Sequence, residues 1–204
     1  MNAYILRAKP HGKNRENEFL NGRISIGWPC EASFEGKERE DISTILRSAY
    51  PDITAISISM VDLFVNMPVG SIILTPSLQD KSLIHLFRTS SPYQYNRSTD
   101  TDEEGNPHYV EVEHLKTEPR HNLPKAVLRS LSGARKTLSR ISQHYDLLDD
   151  FINIGFEAGV EANSKSPSSR TEAINVLHEL LSSNSESIRL QAAVAIIEYE
   201  IVKN

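Results

Sequence analysis

Arg23-Ile24-Ser25-Ile26-Gly27-Trp28-Pro29 is the stretch on which the reading of this chain turns. Strand alternation sets Ile24 and Ile26 on one face. Gly27 removes the side chain that would block a close approach, and Pro29, with no N–H to donate, ends the ladder. Trp28, the only tryptophan of the chain, therefore stands at a strand end, where pockets open. Two roles are open to it: a core anchor, since large aromatics are mostly buried, or a wall of a binding pocket, which aromatics commonly line.

Working outward, Ala3 to Ala8 reads as a preceding strand, and the polar run Lys9 to Arg15 as a basic, solvated turn. After the Trp28 strand, Ile42, Ile45, Leu46 and Ala49 make one apolar stripe, which predicts a helix from about Lys37 to Tyr50. Ser59-Met60-Val61-Asp62 has the spacing of a capping box and predicts the start of a short helix that Pro68 stops; Phe64 falls on its apolar stripe and reads as core. Strands follow at Ser71 to Thr75 and Ser82 to Thr89, joined by a hairpin-sized connection. Ser90 to Pro107 has no period but carries the pair Tyr93-Gln94-Tyr95, and His108 to Lys116 alternates as a fifth strand. Pro124 opens a helix expected to run to about Ser142. Five strands with mostly short connections predict an α+β domain over residues 1–142, a small curved antiparallel sheet or partial barrel with flanking helices.

Residues 143–204 carry only helix signals and predict an all-α C-terminal tail. One helix is expected from Tyr145 to Glu161, a second after the capping box Ser169-Arg170-Thr171-Glu172, and a last from about Glu186. The last is apolar on two stripes, which calls for partners on more than one side and points to self-association. The formal charge of −5 is uneven: residues 1–142 hold 18 Lys+Arg against 17 Asp+Glu, whereas 143–204 hold 4 against 10. The acidity belongs to the tail, so the first part keeps the freedom to present a basic face.

One cysteine, Cys30, permits no disulfide within the chain, and no CxxC or Cys/His cluster offers zinc ligands; a reducing, cytoplasmic setting is expected, with no metal and no cofactor. No stretch approaches a membrane span and no export leader is read. The seven histidines lack metal spacing, and His108 and His114, which share a strand face, are read as structural. No GxSxG, no phosphate-cradling glycine loop and no Cys/His nucleophile pair occurs. Asp52 with Glu111, Glu113 and Lys116 is faintly similar to a metal-dependent nuclease core, but Glu113 and Lys116 would face opposite sides of a strand. The chain is accordingly read as no enzyme.

Taken in order, Tyr4 to Pro10, Phe19-Leu20, Ile24 to Pro29, Phe64-Val65 with Met67 and Gly70, Tyr93 to Tyr95, and His108 to Lys116 with Leu123-Pro124 resemble the EVE-like branch of the PUA-like superfamily, over about residues 3–142. These modules occur at the N-termini of some modification-dependent restriction proteins and are related to YTH readers of methylated adenine. The resemblance implies a curved sheet with a pocket for a flipped-out, often modified base. It makes Trp28 one wall beside Gly27, Tyr95 and Tyr93 another, and Arg7, Lys9 and Lys13 candidate phosphate contacts. Gly70-Ser71 departs from the family's glycine-aspartate pair, and no nuclease or motor domain follows. The expected function is a non-catalytic nucleic-acid-binding module that recognises a modified or flipped base, DNA favoured, with a tail for homodimerisation or effector recruitment. The alternatives are a protein-interaction or regulatory module without nucleic-acid binding, and a metal-dependent nuclease.

Overall fold

The computed structural model describes residues 1–133, 136–161, 177–183 and 185–203. Two compact units divide the chain, Met1–Ile154 and Gly155–Asn204. The first is an α+β unit built on a curled, mixed half-barrel sheet.

Its strands are β1 (Ala3–Leu6), β2 (Arg23–Ile26), β3 (Ile72–Pro76), β4 (Leu83–Thr89), β5 (Gln94–Tyr95), β6 (His108–Pro119) and β7 (Leu138–Arg140), in the order β2-β6-β4-β3-β1-β7 with β5 beside β6. The twelve-residue β6 organises the curl. One edge of its first half pairs with β2, Ile24 opposite Val110 and Ile26 opposite His108, while β5 and β4 share the other edge in succession. The β4–β6 register slips between Leu86 and Phe87, where Leu115 is the extra residue, and such a bulge bends and twists the strand that carries it.

Two expectations are corrected here. The sheet is not wholly antiparallel, because β1 pairs parallel with β3, Ile5 opposite Leu74. The chain between them is long enough for a crossover, since it holds β2 and three helices. The helix expected to reach Ser142 ends at Gly133, and Leu138–Arg140 forms β7, antiparallel to β1 with Ile5 opposite Ser139. Leu138 and Ile141 satisfied the helical spacing by coincidence. What decides is the open edge of β1, whose ladder is lengthened by Arg7 N–H to the Thr137 carbonyl and Ile141 N–H to that of Ala3.

Both faces of the sheet are covered. Tyr4 and Leu6 of β1 join Ile73, Phe87 and Val110 in one core with α1 (Glu16–Leu20), α2 (Arg39–Ala49) and α3 (Ala55–Val65). Ala3 and Ile5 join Ile72, Leu74 and Leu86 in the other, under α4 (Lys125–Gly133) and the start of α5 (Tyr145–Glu161). A strand buried on both faces reads as an unbroken apolar run, as Ala3-Tyr4-Ile5-Leu6 does. Phe64 is fully buried in the first core. The start of α3 also differs from expectation. Thr54 is the N-cap and accepts from Ser57 N–H, which places Ser59 inside the helix, where its hydroxyl donates to the Ala55 carbonyl.

The first unit runs past Ser142 because Tyr145, Leu148 and Ile152 complete the second core. Arg88 fastens this part of α5 at 2.7 Å from Asp149 and 3.1 Å from the Tyr145 hydroxyl, and Lys116 Nζ sits 3.9 Å above the Phe151 ring. In the second unit, residues 177–180 are helical and the last helix spans Glu186–Lys203. The capping box at Ser169 and most of the helix it was expected to open lie outside the described residues. Among the described residues no helix is long and apolar enough to cross a membrane.

Candidate binding cavity

Where β2 ends, the backbone leaves the strand abruptly. Trp28 takes φ +77°, in the left-handed region that disfavours side chains with a Cβ. Such strain persists only where surrounding structure over-determines it, and here a buried hydrogen-bond chain does so. Tyr93 Oη accepts from Phe34 N–H at 3.1 Å and lies 2.8 Å from His108 Nδ1, while His108 Nε2 lies 3.1 Å from the Trp28 carbonyl oxygen. A carbonyl only accepts, so Nε2 carries the ring proton and Nδ1 receives the tyrosine hydroxyl. The ring is fully buried and stacked on Phe34 at 4.4 Å. Burial pushes the His108 pKa down to about 4, against the opposing pull of its bond to Trp28 and of Asp100. His108 is thus the neutral strut that holds Trp28 in place.

The Trp28 indole is half-buried and meets Tyr50 edge-on at 5.3 Å and 84°, and the Tyr50 hydroxyl donates to the Pro29 carbonyl. Burial first, and then the negative neighbourhood of Cys30, Asp102 and Asp100, pushes that hydroxyl up to about 12, so it stays a donor. Beside Trp28 opens a cavity of about 390 Å³. Its walls are the Lys9–Gly12 turn, Ile26 and Gly27, Tyr50, Met60 and Val61 of α3, and Thr137 and Leu138 leading into β7. Among the described residues no carboxylate lines it, whereas Lys9 and His11 do.

Glycines let the turn close on the end of β2. A Cβ on Gly27 would stand 3.1 Å from His11 N, and one on Gly105 would stand 2.6 Å from the Cβ and ring of His11. The segment bearing Gly105 is tied down: Arg15 bridges Glu18 at 2.6 Å and Glu104 at 2.8 Å, and Asn106 donates to Glu18. The basic turn is solvated at Lys9, His11 and Gly12, as expected, and is also part of a wall. Gly105→Ala combines a left-handed residue, φ +69°, with this clash and should cost about 2 kcal/mol or more in urea unfolding. Gly12→Ala, at φ +76° with nothing within 4 Å, should cost only the conformational part, about 1 kcal/mol. Equal losses in the two variants would count against the packing of His11 on Gly105.

Of the residues expected at the site, the structure brings Trp28, Gly27 and Lys9 together around the cavity. Tyr93 does not line this cavity; it is buried, and its hydroxyl donates to His108 Nδ1. Tyr95 lies on β5 opposite His108, and its hydroxyl donates to Asp100. Arg7 is exposed and outside the lining, and Lys13 is half-buried with its N–H on the Pro10 carbonyl. His11, Tyr50, Met60, Thr137 and Leu138 were not foreseen. They come from four separate segments with no common period, and the one trace in the sequence was His11 within the basic run. Glu111, Glu113 and Lys116 of the nuclease reading lie on β6 and line no part of this cavity.

No family model matches the chain, and no curated protein matches it. Among solved structures, protein Atu2648 from Agrobacterium tumefaciens is similar at a TM-score of 0.37 and 7% identity, over 76% of this chain and 93% of that one. A likeness of that degree assigns neither fold nor function.

Proposed function

We propose that the first unit is a non-catalytic, cofactor-free nucleic-acid-binding module of EVE-like or PUA-like type, acting in the cytoplasm. It takes a modified or flipped-out base, DNA favoured, into the cavity beside Trp28. The acidic tail serves self-association or recruitment of an effector. The observation that carries this reading is the chain's single tryptophan, strained at φ +77° and fixed by His108, in the wall of a cavity lined by a lysine and, among the described residues, by no carboxylate. A volume of about 390 Å³ lies within the range of about 300–1,000 Å³ usual for small-molecule sites. Extruding a base costs a few kcal/mol, and stacking on an aromatic face returns about 1–3 kcal/mol, so a wall set in advance is the feature such a site needs. Lys9 supplies positive charge beside it for an anionic strand.

The test is binding of wild type and Trp28→Ala to matched oligonucleotides, unmodified or carrying methyladenine, methylcytosine or hydroxymethylcytosine. One modification should bind at least about tenfold tighter than the rest, or 1.4 kcal/mol. Trp28→Ala should weaken that complex by about 10- to 100-fold with the fold intact. Equal affinity for every probe, or an unaffected Trp28→Ala, would sink the base-reading proposal.

A further inference from the structure

A second depression, of about 470 Å³, runs beside the base cavity between α3 and β7, and Met60 and Leu138 line both. Its other walls are Ile56, Ser59 and Leu63 on the helix, Gly133 at the end of α4, and Lys136, Ser139 and Arg140 on and before the strand. β7 ends the sheet, pairing with β1 alone, so the groove follows an open strand edge. Its charge has one sign. Lys136 and Arg140 are exposed, and among the described residues neither makes an ion pair. Arg140 is held by neutral acceptors only, Asn2 Oδ1 at 2.6 Å and Ser142 Oγ at 3.0 Å. Among the described residues no carboxylate lines the groove, and the α3 carboxylate, Asp62, is engaged by Arg39 at 3.6 Å and Asn66 at 2.9 Å.

We infer that the groove between α3 and β7 carries the phosphodiester strand flanking the inserted base, with Lys136 and Arg140 as its phosphate contacts. The inference rests on the base-cavity reading and gives it a direction: the strand leaves the cavity past Met60 and Leu138 and does not run over Lys13. The occupant is a polyanion because cations in this groove face no acidic partner. It is a strand continuous with the base because the two depressions share a wall. Exposed Ile56 offers apolar contact to the sugar edge.

The experiment uses the full chain and a short single-stranded DNA carrying the modification that binds tightest in the panel above, with the free modified nucleoside as a second probe. Lys136→Ala should weaken DNA binding about fivefold and flatten the slope of log affinity against log salt by about 0.7, the share of one single-strand phosphate contact. Ile56→Glu, which adds a negative charge at an exposed helical position, should weaken DNA binding at low salt by a similar factor. Neither variant should change nucleoside binding, which reports the cavity alone. Wild-type affinity and slope in both variants, with Trp28→Ala still abolishing selectivity, would overturn the groove path and leave the base reading standing. Equal losses for DNA and nucleoside would also overturn it, because the substitutions would then be acting through the cavity. Absence of DNA binding by the wild type would overturn both.

Discussion

Glu16→Ala is expected to destabilise the first unit by about 3 kcal/mol, because several donors lose a buried carboxylate acceptor at about 1–3 kcal/mol each. Glu16 is the first residue of α1 and is 2% exposed. One carboxylate oxygen accepts from the Ser77 hydroxyl and faces His85 Nε2 at 2.7 Å, and the other accepts from Leu78 N–H at 2.9 Å and Gln79 N–H at 3.2 Å. Burial alone would raise its pKa, but Ser77, His85 and Leu78 together hold it below the ordinary carboxylate value. The cluster fastens α1 to the β3–β4 turn and continues from His85 Nδ1 to Thr117 Oγ1 on β6 at 2.8 Å. An alanine leaves Leu78 N–H, the Ser77 hydroxyl and a ring N–H without this acceptor, while Gln79 N–H keeps Ser77 Oγ at 3.2 Å, and each buried orphan carries a desolvation cost. Urea unfolding of wild type and variant measures the loss. A difference below about 1 kcal/mol would mean that water replaces the carboxylate at little cost.

The second large effect is acid lability centred on His108. Its folded pKa is lowered to about 4, while the unfolded chain titrates near the ordinary 6.5. Between those values the unfolded state binds a proton that the folded state refuses, so stability is full above about pH 6.5 and falls as pH drops toward 4. The loss comes to about 3 kcal/mol over the whole window and about 2 kcal/mol between pH 7 and pH 4.5. Protonation at Nδ1 would set an N–H against the Tyr93 hydroxyl, whose oxygen already accepts from Phe34. His114 contributes in the same direction, since burial and then the neighbouring His85 lower its pKa as well. Denaturant titrations at the two pH values, followed by Trp28 fluorescence, should show the drop, and His108→Gln should lose most of it while starting from a lower stability. A profile in His108→Gln as steep as in the wild type would place the acid sensitivity elsewhere.

These two clusters show where a reading from the chain alone falls short. Alternation around Ile24 and Ile26 and along His108 to Val112, and the apolar run after Gly70, marked strands. The stripe through Ile42 and Leu46 marked α2, and Tyr145 to Glu161 was read as helical. Each rests on residues within one or two turns of each other, where period and side-chain chemistry are visible. Glu16 and His85 are 69 positions apart and Trp28 and His108 are 80 apart, and neither pair leaves a local pattern. The sequence contains a tryptophan at a strand end and a histidine on an alternating strand; their hydrogen bond exists only once β2 lies on β6.

The same division separates the residues expected around Trp28 from those that line the cavity beside it. Local rules sufficed to place Trp28 at a strand end beside Gly27 and to put Phe64 in the core. They assigned Leu138 to a helix, because a spacing of three and four is helical when nothing else competes. In the folded chain the unpaired edge of β1 competes and wins, since each backbone group it satisfies would otherwise lack a partner. That choice turns Leu138 into a strand residue and supplies a wall to the cavity, and it creates the cationic groove beside Arg140. Sequence alone therefore determined the α+β class, most of the strands and the place of Trp28 at a strand end. Tertiary pairing decided the mixed sheet, the bearing of Tyr93 on His108 and the remaining walls, because long-range backbone partners outweigh local spacing wherever the two disagree.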